Sequence, residues 1–426
     1  MHFFEYRNGE LYCEEVRVKT IADEAGTPVY IYSARTLQRH YNVFKKAFAK
    51  TKPLICYSVK ANSNIAVIAL FSSMGSGADI VSGGELFRTK KAGIDSKKIV
   101  YSGVGKTLRE ISYALENDIL MFNVESIEEI DVINSAAGRL GVKAPVSIRV
   151  NPDIDPFTHP YISTGLKKNK FGIDIRYAID AYSIARAKPN IRIIGIDMHI
   201  GSQLTDVSPV VSALKKILKL MKELGQRGIN IKYMDIGGGL GITYKDEKAA
   251  HPERYAGEIE STLKGSFDGT LILEPGRVLV GNAGILVSRV LYRKDNGSKR
   301  FMIVDAGMND LIRPSFYGAY HEILPVHKAA QSRLVKQDVV GPICESGDFF
   351  AHGRSLPVLE REDLVALMSV GAYGFSMSSN YNSRTRAAEV IVNGSDYFIV
   401  RKREINNDLI KGEQIPSFIK VRSKNA

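Results

Sequence analysis

The sequence predicts an α/β fold, a (β/α)8 TIM-type barrel followed by a second, mainly antiparallel β domain. Three observations predict it. First, apolar runs rich in β-branched residues, at 55–60, 78–82, 99–102, 120–125, 146–151, 195–200, 233–236 and 271–274, alternate with helical patterns. Such spacers demand parallel crossovers, and eight strands in about 220 residues suit a barrel. Second, the residues least suited to a core sit at or near the C-terminal ends of those runs: Lys60, Asp79, Ser82, Asn123, Asn151, His199, the glycines from Gly237 to Gly239, and Glu274. In a barrel these ends share one face, where active sites are built, and this favours the barrel over a doubly wound open sheet. Third, the rhythm stops after Arg277.

In chain order, residues 1–24 carry short alternating patterns and are expected to join the β domain. A strand at 29–33 precedes a helical pattern from Ala34 to Lys50, with Leu37, Tyr41, Phe44 and Phe48 at helical spacing behind a Ser33 cap. The barrel is expected over 25–280. Among its spacers, 209–224 puts Val210, Leu214, Ile217, Leu218, Met221 and Leu224 on one face. The β domain is expected over 281–426, with strands at 286–292, 301–305, 336–340, 364–370 and 389–392. Asp295-Asn296-Gly297 and Asn393-Gly394-Ser395 mark turns among them.

With 426 residues, 44% of them hydrophobic, the chain can bury a large core and exceeds one ordinary domain. Its first residues are charged, unlike a signal peptide, and no run approaches the roughly 20 apolar residues of a membrane span. Three cysteines, Cys13, Cys56 and Cys344, with no CxxC, suit a reducing cytoplasm and argue against a disulfide scaffold or a structural zinc site. The net charge of +12 is scattered, without a basic block or tail. That argues against nucleic acid and for small anionic ligands.

Lys60 ends the apolar run Ile55-Cys56-Tyr57-Ser58-Val59. It fits a reactive amine whose proton affinity is lowered by burial and which forms a Schiff base; alone, it is more simply a strand end meeting water. Asp235-Ile236-Gly237-Gly238-Gly239-Leu240-Gly241 suits a phosphate cradle after the seventh strand, although Ile242 stands where a dinucleotide fingerprint needs its third glycine. Glu274-Pro275-Gly276-Arg277 ends the eighth run: the acid could pair with a protonated ring nitrogen and Arg277 with a carboxylate or phosphate, or the two could be a salt-bridged strand end. His199 is followed closely by Gly201 and Ser202, which suits an imidazole lying on a flat ring with a hydroxyl reaching a phosphate. Cys344-Glu345-Ser346-Gly347-Asp348 places a thiol in a polar loop, where it could donate a proton. Tyr373 and Tyr381 lie in Gly/Ser/Asn loops, for which a simple turn is a serious alternative at Tyr381 and a weaker one at Tyr373. An aldehyde for the lysine, a ring nitrogen for the glutamate, a flat face for the histidine and a phosphate for the glycines together describe pyridoxal 5′-phosphate (PLP).

On these motifs the chain resembles the alanine racemase-like (fold type III) PLP-dependent decarboxylases nearly end to end. Tyr57-Ser58-Val59-Lys60-Ala61-Asn62, Asp305-Ala306-Gly307-Met308-Asn309-Asp310, Arg313-Pro314, Tyr381-Asn382-Ser383-Arg384 and the stretch 158–165 add to the likeness. Ala387 departs from it, where proline is expected. The resemblance implies the branch that converts meso-2,6-diaminopimelate to L-lysine and carbon dioxide. It implies that Lys60 carries the cofactor and His199 stacks on its ring. Ser202, Gly239 and the Gly276–Arg277 backbone would lie at its phosphate, with Glu274 at its ring nitrogen and Pro275 also among the cofactor-binding residues. Arg277, Arg313 and Tyr317 would grip the substrate's distal carboxylate, Glu345 its distal ammonium, Cys344 would supply a proton, and Tyr373 would touch both cofactor and substrate. Cys344 and Glu345 would come from a partner subunit, making a homodimer with shared sites. Ornithine, arginine or carboxynorspermidine are alternative substrates on the same fold. A PLP-binding protein without turnover conflicts with the β domain and Cys344, and a metal-dependent hydrolase with the absence of HxH.

Overall fold

The computed structural model describes residues 2–155, 164–165, 169–328 and 333–419, so most of the 158–165 stretch lies outside the described residues. Eight parallel strands close a barrel: Leu54–Ser58, Gly77–Ile80, Ile99–Tyr101, Met121–Val124, Ala144–Asn151, Ile191–Asp197, Tyr233–Asp235 and Thr270–Leu273. Closure comes where Ile272 and Leu273 of the eighth strand pair with Leu54 and Ile55 of the first. The expected barrel is therefore present, and all its strands but the fifth, Ala144–Asn151, end short of the apolar runs. The first strand stops at Ser58 and Lys60 stands in a 3-10 turn, Val59–Ala61.

The two-residue repeat of a strand decides what fills the barrel. Cys56 and Ser58 share one face, as do Met121 and Asn123, and Ile272 and Glu274. Cys56, Val100, Met121, Ile194 and Ile272 form a small apolar cluster of their own, the floor of the interior. Above it stand Ser58, Asp79, Asn123, Ser147, Asp197, Asp235 and Glu274, all buried. The intervening positions point outward into the large core between strands and helices, as Tyr57, Ala78, Phe122 and Leu273 do. Helices supply the other wall. Ala34–Ala47 is capped by Ser33, whose hydroxyl accepts from the Thr36 N–H, and it buries Leu37, Tyr41 and Phe44. Ser208–Gln226 buries Val210, Leu214, Ile217 and Leu224, while Leu218 and Met221 are half-buried at its margin.

The second sheet runs in the order Phe349–Pro357, Leu334–Val340, Arg300–Val304, Gly284–Asp295, Val29–Ser33, Ala388–Asn393, Asp396–Arg401, with Leu364–Leu367 also paired to the long strand Gly284–Asp295. It is mainly antiparallel, as expected, with parallel pairing at two places. Val29–Ser33 differs from the sequence reading, which put it within the barrel unit. It pairs antiparallel with Gly284–Asp295 and parallel with Ala388–Asn393. All five of its residues are buried, as a central strand requires, and a continuous apolar run does not disclose its partners. The N-terminal strands Phe4–Arg7, Glu10–Cys13 and Val16–Arg17 pack on this sheet through Phe4, Leu11, Cys13 and Val16.

Barrel and sheet meet through buried polar contacts. Glu389 accepts from the Tyr32 hydroxyl at 2.8 Å, from Asn64 Nδ2 at 2.9 Å and from Arg401 Nε at 2.6 Å. Asn64 also caps the helix Ile65–Ser73 of the barrel. Removing Glu389 strands three donors, two of them in the core. The substitution Glu389→Ala is expected to cost about 3 kcal/mol, read as a lowered thermal midpoint, whereas Glu389→Gln, which keeps an acceptor, costs less.

Candidate active site

A cavity of about 760 Å³ opens at the C-terminal end of the barrel. The barrel contributes Lys60, His199, Ser202, Glu274 and Arg277 to its lining, and the β domain contributes Arg313, Tyr317 and Tyr373. Eight residues singled out in the sequence thus converge from distant parts of the chain. Gly239, Pro275 and Gly276 lie behind them as backbone. The Pro275 carbonyl accepts from the Ser58 N–H at 3.1 Å, and the Gly239 carbonyl from the Leu204 N–H at 2.8 Å. A Cβ on Gly276 would press on Ser58 Cβ at 3.0 Å. Cys344 and Glu345 are not in this cavity. Both are exposed on a loop of the β domain, where the Cys344 N–H donates to Asn382 Oδ1 at 3.0 Å.

Lys60 makes an ion pair with the buried Asp79 carboxylate, which also accepts from the Ser58 hydroxyl at 2.7 Å. Parallel register sets Ser58 opposite Asp79, so the strand ends themselves deliver the pair. Burial opposes charge on Lys60, but Asp79 and Glu274 outweigh it and hold the pKa above the ordinary lysine value. This corrects the sequence expectation of a lowered proton affinity: burial alone lowers it, and a buried carboxylate from the next strand reverses the sign.

The acids around Lys60 are crowded. Burial, then the neighbouring carboxyls Asp235 and Asp79, raises the Glu274 pKa well above the carboxylate range. Burial and Asp197 push Asp235 up to about 7. Ser147 donates to Asn123 Oδ1 at 2.6 Å, and Asn123 Nδ2 donates to Ser102 Oγ at 3.0 Å and to Asp235 Oδ2 at 3.2 Å. Arg149 offsets part of the charge, at 2.8 Å from Glu125 and 3.8 Å from Asp197. Asp79 Oδ1 and Asp197 Oδ1 nonetheless have no hydrogen-bond partners among the described residues.

His199 is held neutral: burial, Arg149 and Lys60 all push its pKa well below the usual value. Its Nδ1 accepts from the Gly238 N–H at 3.4 Å. Gly237 has φ +68°, and a Cβ there would lie 2.4 Å from that same nitrogen. The glycine is required both by its left-handed backbone and by the ring beside it.

Arg277 and Arg313 are buried. Both donate to the hydroxyl of Tyr244, each at 2.8 Å, and Arg277 Nη2 donates to Ser202 Oγ at 3.0 Å. Arg277 Nε has no hydrogen-bond partner among the described residues. The Tyr373 ring lies 4.9 Å from the Arg277 guanidinium, and the Tyr373 N–H donates to the Ala61 carbonyl at 2.8 Å, fastening the lysine-bearing turn to the β domain. Sequence reasoning noticed Asp79 and Asn123 at strand ends without giving them partners. It missed Arg149, Asp197 and Tyr244 altogether. A charged residue amid the apolar run 146–151 was the available signal for Arg149.

Residues 34–281 match the family described as pyridoxal-dependent decarboxylase, pyridoxal binding domain. The diaminopimelate decarboxylase of Aquifex aeolicus (strain VF5) is 52% identical over 409 residues, covering 96% of both chains. That of Haemophilus influenzae is 49% identical, covering 96% of this chain and 98% of its own. The crystal structure of diaminopimelate decarboxylase from Helicobacter pylori complexed with L-lysine superposes with a TM-score of 0.89 at 44% identity, over 92% of this chain and 98% of that one.

Replacing the carboxylate beside the lysine tests the electrostatic account. In Asp79→Asn the Lys60 pKa is expected to fall by about 1–3 units, read in cofactor-free protein as the pH at which Lys60 is half-acylated by an amine reagent. An unchanged profile removes Asp79 as the cause. Gly237→Ala is expected to cost at least about 1–2 kcal/mol of stability from backbone conformation alone, measured by denaturant unfolding.

Proposed function

Because the chain belongs to the pyridoxal-dependent decarboxylase family, we propose that it acts on meso-2,6-diaminopimelate, releasing carbon dioxide and L-lysine as the last step of lysine biosynthesis. The observation that carries the substrate assignment is the pair Arg277 and Arg313, buried in the same cavity as Lys60 and hydrogen-bonded to hydroxyls rather than to any carboxylate among the described residues. Two buried guanidinium groups without a counter-charge are costly, and a carboxylate is the ligand that relieves them. Diaminopimelate carries one at the end remote from the reaction. Ornithine and arginine carry none there, so they leave the pair unanswered.

The family's cofactor is PLP, and the residues present fit it. The glycines after the seventh strand let the backbone pass close to its neighbours at the barrel mouth: a Cβ on Gly238 would stand 2.0 Å from the Glu274 carbonyl, and one on Gly239 2.4 Å from that of Gly201. The excess of buried carboxyls, two with unpartnered oxygens, calls for a cation such as a protonated ring nitrogen. Lys60 would hold the cofactor covalently through its amine, with the neutral imidazole of His199 against its ring. The Glu274 carboxyl, at the end of the eighth strand, would pair with the ring nitrogen and maintain its proton. Ser202 and the Gly239 and Gly276 backbone would serve the phosphate. When bound, the cofactor supplies a cationic conjugated ring that accepts the electrons of the breaking bond.

The chain's own residues set which bond breaks. Arg277, Arg313 and Tyr317 hold the far carboxylate, and Tyr373 lies between Arg277 and the lysine-bearing turn, so one bond at the near end is presented for cleavage. After carbon dioxide leaves, the vacated carbon needs a proton. We assign it to the thiol of Cys344, with the distal ammonium held by Glu345. Both are exposed on their own chain, which supports a homodimer in which a second copy brings them to the site. We propose a cytoplasmic enzyme without a nucleic-acid partner. Among the described residues no helix is long and apolar enough to cross a membrane.

Borohydride reduction and digestion of the holoenzyme are expected to leave a pyridoxyl tag on the Lys60 peptide, and Lys60→Ala to abolish turnover. A tag elsewhere, or none, overturns the assignment. Equal amounts of Lys60→Ala and Cys344→Ala protein, each inactive, are expected to recover about one quarter of wild-type activity after subunit exchange, since half the dimers then hold one intact site. No recovery overturns the shared site.

A further inference from the structure

Tyr244 occupies the place a clamped carboxylate must take. Arg277 Nη1 and Arg313 Nη1 both point at its single oxygen, each at 2.8 Å. A carboxylate bridging the same two nitrogens would put an oxygen there. Tyr244 reaches that point from the loop after the glycine run, and its ring meets the buried His321 edge-on at 5.5 Å. His321 is anchored in turn by Nδ1 to the Met368 carbonyl at 2.8 Å.

We propose that Tyr244 is a specificity-determining cap on the carboxylate clamp, holding the two arginines while the site is empty and yielding them to the ligand's distal carboxylate. The inference rests on the substrate reading above and adds to it a residue and an exchange. The exchange is selective by charge and geometry: a carboxylate brings a full opposite charge and two acceptor oxygens to the paired guanidinium groups, where the phenol offers one neutral oxygen. A ligand with a distal carboxylate displaces the phenol, and one without it does not. The phenol also shields two like charges from each other in the free enzyme; the arginines for their part lower its pKa against the effect of burial. L-lysine keeps the far carboxylate of diaminopimelate, so the returning phenol also helps expel the product.

The cap works against binding and for release, and this sets the sign of its test. In holoenzyme carrying Tyr244→Phe, L-lysine is expected to bind about tenfold more tightly by calorimetry. L-lysine methyl ester, which lacks the carboxylate, is expected to bind as it does to wild type. Steady-state KM for diaminopimelate falls, and kcat falls with it as product leaves more slowly. Equal or weaker L-lysine binding in the variant, with normal binding in wild type, overturns the cap and makes Tyr244 a fixed wall of the clamp. Equal tightening of lysine and its ester overturns it too, since the carboxylate is then not what is exchanged. Wild-type holoenzyme that takes up no L-lysine overturns the substrate reading, and this inference with it.

Discussion

The ion pair of Lys60 with Asp79 governs the chemistry of the barrel mouth. It sets a flexible ammonium against a carboxylate that cannot leave, because Asp79 lies within a strand and is also bonded by Ser58. The other acids are arranged around that fixed point. Asp197, Asp235 and Glu274 are too close together and too deeply buried to ionise freely, and all three have raised pKa values. The site therefore gathers carboxyls that resist ionising together and that a cation among them would stabilise. A neutral histidine on one side and two guanidinium groups on the other divide the cavity into a region suited to a flat cationic ring and a region suited to a carboxylate.

The two halves of the molecule share that cavity. The barrel aims Lys60, His199 and Glu274 because all three lie at strand ends. The β domain contributes Arg313, Tyr317 and Tyr373, and it restrains the lysine-bearing turn through the Ala61 carbonyl. Arg277 belongs to both, since it opens the short helix that leaves the eighth strand for the second sheet. A cavity lined this way depends on how the domains meet, so contacts such as those of Glu389 bear on its shape as well as on stability.

Much of this arrangement was legible in the sequence because strands and helices repeat with different periods. The barrel strands, the helices Ala34–Ala47 and Ser208–Gln226, and the strands at Gly284–Asp295 and Ala388–Asn393 follow from periodicity. Strand ends were less legible, since apolar residues continue past the last ladder bond, as Val59 does. Pairing was illegible wherever it joins distant segments. Val29–Ser33 was misplaced for this reason, and the sign of the Lys60 shift depended on a residue 19 positions away. Motif reasoning found the residues that would touch ligand but missed Arg149 and Asp197, which act on those residues, and Tyr244, a tyrosine with no pattern around it.

The apolar floor and the polar tier above it are written in alternate letters of the same short strands. Sliding any one of these strands by a single residue would turn its acid or hydroxyl out among the helices and bring an aromatic or aliphatic group into the lumen. Folding in the correct frame and assembling the chemistry are thus one event for this protein. A misregistered barrel would lose its reactive centre and its oily mantle together, so selection for either preserves both.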